Sequence, residues 1–183
     1  GLFIALMYFL PRVSAGAVFR IQLNWIPSLG VSLSIMIDGL SLLFALIICC
    51  VGFFVTLYAA DYLPEASDRR RFFVYLHGFL LAMLGLVVAD NILVMFVFWE
   101  LTSISSYLLI GFYHEKEASR KAALQALIVT GGGGLLLLVG ILLLGMVAGS
   151  YDLQALQNQY ILIQESPLYE AILILILLGA FTK

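Results

Sequence analysis

The sequence predicts an all-α membrane protein, a polytopic bundle of transmembrane helices that carries one short β-hairpin outside the bilayer. Three observations predict it. Of 183 residues, 63% are hydrophobic and 11% charged, far from the balance of a soluble domain. The apolar residues fall in runs near the length needed to cross about 30 Å of hydrocarbon. Short polar stretches separate these runs, and basic residues gather in alternate ones.

The first run, Gly1 to Leu10, lacks the basic lead and small-residue cleavage site of a signal peptide and reads as the end of a spanning helix. From Val18 to Trp25, apolar Phe19, Ile21, Leu23 and Trp25 alternate with Arg20, Gln22 and Asn24, a strand period. Val31 to Ile35 repeats the alternation with Ser32 and Ser34 on the other face, and Pro27 to Gly30 supplies the turn. Residues 18–36 are therefore expected to form a hairpin whose unpaired edges either close a loop or clasp a neighbouring protein chain.

Further spanning helices are expected at Ser41 to Ala60, Phe72 to Ala89, Asn91 to Phe112, Arg120 to Ala148 and Leu168 onward, about six with the N-terminal run. Residues 152–163 place Leu153, Leu156, Tyr160 and Ile163 on one side, as a short helix lying in the interface does. No internal repeat is visible. Gly1 and Lys183 both fall inside apolar runs, so residues 1–183 read as a fragment of one transmembrane domain, cut at both ends.

Orientation follows from the basic residues, which cytoplasmic loops retain. Arg69, Arg70, Arg71, Lys116, Arg120 and Lys121 fall on one side and only Arg12 and Arg20 on the other. Loops 61–71 and 113–121 are thus expected in the cytoplasm, with the hairpin, the Asp90–Asn91 turn and the 152–163 segment facing outward.

Glu100 is the most informative residue. It lies roughly 14 Å along the helix that begins at Asn91, close to the bilayer midplane. A charge there costs about 2.5 to 3.5 kcal/mol on insertion scales, so the carboxylate needs water, a partner or a proton. Ser103 and Tyr107 share its helix face. The alternative is a neutral glutamic acid that fastens two helices by hydrogen bonds. Lys183 is a second deep charge, roughly 22 Å beyond Leu168. Burial favours the neutral forms of such a pair and proximity the ionised forms, so a Glu and Lys couple is suited to switching protons. The alternative is that Lys183 begins a flank and snorkels to the interface. His77, near the basic end of its helix, is a candidate to receive protons there, or is a satisfied structural histidine.

The remaining polar features are structural. Asp38 before Gly39 is a helix cap or interface carboxylate. Thr130 followed by Gly131 to Gly134 lacks the lysine and hydroxyl of a phosphate loop and suits close helix approach or a local weakening of the helix. Adjacent Cys49 and Cys50 are poorly placed for a mutual disulfide and read as small buried hydrophobes. A charge of −2 without a basic stripe gives no electrostatic case for nucleic acid. No triad, metal-ligand cluster or cofactor motif is present in the sequence, so no catalytic residue, metal or cofactor is expected.

With these residues in view, the chain resembles the large A-type subunits of Mrp-type multisubunit cation/proton antiporters. The resemblance runs from about Val31 to the end. It rests on Asp38-Gly39-Leu40-Ser41, Ala89-Asp90-Asn91, the stretch Phe98 to Gly111 that begins Phe-Trp-Glu-Leu-Thr-Ser, and Gly179-Ala180-Phe181-Thr182-Lys183. A similar pattern occurs in the antiporter-like subunits of respiratory complex I. The resemblance implies that Glu100 matches the family's membrane glutamate and Lys183 its partner lysine on an interrupted helix. It also implies exchange of protons for sodium or another monovalent cation by a hetero-oligomer of membrane subunits in the plasma membrane, without a redox cofactor in this chain. The alternatives are a proton-pumping subunit of complex I and a membrane subunit that only scaffolds its neighbours.

Overall fold

The computed structural model describes residues 2–26, 31–63 and 66–183. In order, the elements are α1 (Leu2–Ser14), β1 (Phe19–Ile26), β2 (Val31–Ile37), α2 (Gly39–Tyr62), α3 (Ala66–Val88), α4 (Ile92–Ile110), α5 (Glu117–Ala148), α6 (Leu153–Asn158), α7 (Tyr160–Gln164) and α8 (Tyr169–Phe181). Four helices are long and apolar enough to cross a membrane: α2, α3 from Asp68, α4 and α5. Helices α1 and α8 are apolar but only 13 residues each, about 20 Å, so four of the six expected spans have full length among the described residues. The chain is a multi-pass membrane protein, as its composition requires.

Neighbours in sequence are neighbours in space. Helix α1 packs on α2, α2 on α3, α3 on α4, α4 on α5, and α5 on α8. Small residues set the close crossings. A Cβ on Gly52 of α2 would lie 2.7 Å from Leu80 of α3, and one on Gly140 of α5 would lie 2.8 Å from Ile176 of α8. The tightest backbone approach is at Gly179 of α8, where a Cβ would stand 2.6 Å from the Leu137 Cβ and 2.8 Å from the Gly133 carbonyl oxygen. Backbone atoms cannot swing aside. Gly179→Ala is expected to force α8 off α5 at a cost of about 1–3 kcal/mol, lowering the thermal unfolding midpoint of the full-length protein. Gly78→Ala, where nothing lies within 4 Å, should leave the midpoint unchanged.

The expected ends move in ways the local chemistry explains. Helix α3 starts several residues before Phe72 because Asp68 and Arg71 pair across one turn at 3.3 Å within a polar first segment. Helix α2 is capped as expected: Asp38 accepts from the Ser41 amide at 2.8 Å, while Ser41 Oγ accepts from the Asp38 amide at 2.8 Å. Asn91 caps α4 by accepting from the Leu93 and Val94 amides. The single helix expected over 152–163 is instead two short ones, α6 and α7, meeting at Gln159. Its apolar stripe specified a face but not the continuity of the backbone.

The hairpin forms antiparallel, with Phe19 opposite Ile37 and Leu23 opposite Leu33, and its register shifts between Asn24 and Ile26. The expected turn at 27–30 lies outside the described residues. Both faces meet protein in part, since Phe19, Leu33 and Ile37 of the apolar face pack half-buried on the helices while the polar face also turns residues inward. Ser32 and Ser34 are buried, whereas Ile21 and Leu23 are 61% and 58% exposed. The serines are turned inward because the elements beneath them, the Asp90–Asn91 turn and Asp152, are themselves polar.

Candidate functional site

Helix α4 carries Glu100 in the middle of the spanning bundle, one turn from Ser103. Lys183 follows α8 and reaches back to the same turn. Its Nζ donates to the Trp99 carbonyl oxygen at 3.0 Å and to Ser103 Oγ at 2.5 Å, and it lies 5.2 Å from the centre of the Trp99 ring. The carbonyl and the ring face partly offset the desolvation of an ammonium in this setting. Ser103 is buried and its hydroxyl also lies 3.4 Å from the Trp99 carbonyl.

Glu100 is held differently. Its Oε1 is buried without a hydrogen-bond partner among the described residues. The carboxyl lies against Gly134 of α5, where a Cβ would come within 2.9 Å of Glu100 Cδ. The neighbouring Gly133 faces Thr182, the residue that caps α8, in the same way, while Gly131 and Gly132 meet nothing within 4 Å. Helix α5 runs unbroken through all four glycines. Close approach, rather than local weakening, is what the run provides: one glycine admits the carboxyl and the next admits the turn leading to Lys183. Glu100 and Lys183 interact through their charges, yet among the described residues no ion pair joins them.

Two cavities lead to this place from the basic end of the bundle. The larger, of about 710 Å³, is lined by Arg71, Tyr75, Tyr107, His114, Glu117 and Arg120, among others. The smaller, of about 210 Å³, is lined by Ser103, Ser106, Tyr107, Thr130 and Lys183 together with apolar side chains. Tyr107 borders both. Hydroxyls of Tyr107, Ser106 and Ser103 on α4 and of Thr130 on α5 therefore line the space between the basic end and the Lys183 ammonium.

His77 is not brought to this place. Its Nδ1 lies 2.8 Å from the Phe73 carbonyl oxygen, and it lines a mostly apolar cavity between α3 and α2 with Cys49, Thr56 and Leu80. The helical period explains the separation, since α3 turns residues such as Phe79 and Met83 toward Lys183 and His77 toward α2. The sequence marked Thr130 and the glycine run as a place of close helix approach but gave no sign that Gly134 meets Glu100 or that the Trp99 carbonyl meets Lys183, because each partner comes from a helix distant along the chain.

Two families match along the chain. The one described as NADH:quinone oxidoreductase/Mrp antiporter, TM, matches residues 89–183, and the one described as NADH-Ubiquinone oxidoreductase (complex I), chain 5 N-terminus, matches residues 24–73. The chain is 41% identical over 173 residues to the A/B subunit of a probable K(+)/H(+) antiporter of Rhizobium meliloti, covering 94% of this chain and 17% of that protein. It is 41% identical over 183 residues to the A subunit of the Na(+)/H(+) antiporter of Alkalihalophilus pseudofirmus, covering 100% of this chain and 23% of that one. The chain thus spans about a fifth of the length of these curated relatives. Among solved structures, it superposes on a chain of the Mrp complex from Dietzia with a TM-score of 0.84 at 29% identity, covering 99% of this chain and 20% of that one. Respiratory complex I from Thermus thermophilus gives 0.70 at 25% identity, covering 84% and 32%.

Proposed function

We propose that this chain, which belongs to the NADH:quinone oxidoreductase/Mrp antiporter transmembrane family, forms part of the proton-conducting path of a multisubunit monovalent cation/proton antiporter with sodium as the cation. The observation that carries the reading is the Lys183 ammonium on Ser103 and the Trp99 carbonyl, one turn from the unpartnered Oε1 of Glu100. A base and an acid at bilayer depth, separated by a hydroxyl, can hold a proton on either side of that hydroxyl and change its position when an outside charge shifts their balance. The chain acts here within a secondary transporter, together with other membrane subunits and with the bilayer as its solvent.

By the excess of basic residues, loops 61–71 and 113–121 face the cytoplasm of a cell whose plasma membrane holds the complex. Protons then enter by the cavity beside His114 and Glu117, pass Tyr107 and reach Lys183 through the hydroxyls of Ser106, Thr130 and Ser103. His77 lies on the other face of α3, off this route. The match of residues 24–73 to a complex I family supports a second reading, in which the same relay serves a proton pump driven by partners. Exchange in the absence of any electron donor separates the two.

Ser103→Ala tests the relay. In the full-length protein assembled with its partners, sodium-driven proton movement into inverted vesicles is expected to fall about tenfold, the loss of roughly 1.4 kcal/mol of barrier lowering. The amount of assembled complex should be unchanged. Normal exchange at normal assembly would remove Ser103 from the path.

A further inference from the structure

A second polar site lies at the hairpin end of the bundle, well away from Glu100. Four segments meet there: β1 with Arg20 and Gln22, β2 with Ser34, the α3–α4 turn with Asp90, and α6 with its cap residue Asp152 and its last residue Asn158. They enclose a pocket of about 270 Å³. Backbone bonds lace the segments together: the Asp90 amide donates to the Ser34 carbonyl at 3.0 Å, the Leu153 amide to the Asp90 carbonyl at 3.0 Å, and the Ile92 amide to the Tyr151 carbonyl at 2.8 Å. The oxygens lining the pocket are therefore fixed by the fold.

Two of these oxygens are not satisfied by protein. The Asp90 side chain is 6% exposed and Ser34 is 3% exposed, yet Asp90 Oδ1 and Ser34 Oγ have no hydrogen-bond partner among the described residues. Buried carboxylate and hydroxyl oxygens are ordinarily paired, so two orphans lining one pocket point to something they bind. Several of the other polar groups are engaged. Asp90 Oδ2 pairs with Arg20 Nε at 2.6 Å, Gln154 Oε1 accepts from Arg20, and Asp152 Oδ1 accepts from Ser32 at 3.1 Å and Asn91 at 2.9 Å. Two carboxylates against one guanidinium leave one net negative charge.

We propose that this pocket binds a single monovalent alkali cation through Asp90 Oδ1 and Ser34 Oγ, with Asp152 and the side-chain carbonyls of Gln22 and Asn158 completing the oxygen shell. The lining holds no histidine or cysteine, which rules against a soft or transition metal. Among the described residues no three His, Cys, Asp or Glu side chains gather as a polyvalent ion prefers, and one net charge is matched by one monovalent ion. Burial pushes the Asp90 carboxyl above its usual range, Arg20 opposes this and Asp152 adds to it, so a cation would relieve the crowding. The ion bridges the hairpin, the α3–α4 turn and α6. The assignment does not depend on the proton relay, and the two can fail separately.

The test follows backbone hydrogen exchange of segments 31–37 and 89–95 in the full-length protein with its partner subunits. Sodium chloride replaces choline chloride at constant ionic strength. Protection in both segments should rise with sodium and saturate. Ser34→Ala removes an oxygen that bonds no protein group, so this variant folds normally, and its half-saturating sodium concentration should rise about tenfold or more. Asp90→Asn should lose the sodium response altogether. Equal protection in sodium and choline would mean the pocket holds only water and overturns the proposal, as would a Ser34→Ala variant with unchanged half-saturation. Protection given by calcium and not by sodium would overturn the monovalent assignment. If Asp90→Asn fails to fold, Ser34→Ala decides the matter.

Discussion

Glu100→Gln in the full-length protein, assembled with its partners, is expected to reduce sodium-driven proton movement by about 100-fold or more, the lower end of what a positioned proton-transfer group contributes. The substitution keeps the size and shape of the side chain and removes its capacity to bind and release a proton. Packing should survive, because the carboxyl makes no protein hydrogen bond through Oε1 and its nearest backbone is a glycine. The measurement is proton movement in inverted vesicles, read beside the quantity of assembled complex. Lost exchange at normal assembly places Glu100 on the conduction path. Normal exchange at normal assembly removes it, and joint loss of both favours a scaffolding role for the buried charges.

Gly134→Ala is expected to give the second largest loss, and for a different reason. The added methyl would occupy the position of the Glu100 carboxyl, at 2.9 Å from Cδ and closer still to Oε1. What it meets is the far end of a flexible side chain rather than a helix backbone. The carboxyl is therefore displaced from its place against α5 while α4 and α5 keep their crossing, and exchange should drop by about tenfold or more for a barrier rise of roughly 1.4 kcal/mol. Assembly and thermal stability should change little. Gly131→Ala, three residues earlier on the same helix, meets nothing within 4 Å and serves as the control that should leave exchange intact. Equal exchange in the two variants would mean that the placement of the Glu100 carboxyl against α5 is irrelevant to transport. Gly179→Ala differs from both in striking backbone, so its loss should appear in stability first.

Much of the architecture was legible in the chain. The runs of apolar residues identify α2, α3, α4 and α5 because a spanning helix must satisfy its own backbone in lipid and needs a fixed length to do so. The strand alternation identifies the hairpin, and Asp38 and Asn91 announce the helices they cap. Helix ends drifted where polar side chains extend a helix beyond its apolar run, as at α3 and α5. The break at Gln159 was not legible, since nothing in the spacing of Leu153, Leu156 and Tyr160 distinguishes one helix from two.

The sequence by itself determined that this protein lives in a membrane, that Glu100 lies at membrane depth, and that Ser103 and Tyr107 share the face of Glu100. Each of these follows from local properties, hydrophobic run length and the helical period, which a single segment carries with it. Only the tertiary structure decided what meets across helices. It set Lys183 on Ser103 and the Trp99 carbonyl, the Glu100 carboxyl against Gly134, and His77 toward α2 rather than toward Lys183. It also turned Ser34 inward beside Asp90, against the simple expectation that the polar face of a hairpin meets water. The physical reason is the same in every case: a period fixes the face on which a side chain projects, whereas its partner is chosen by the rotation and crossing of helices far apart in the chain.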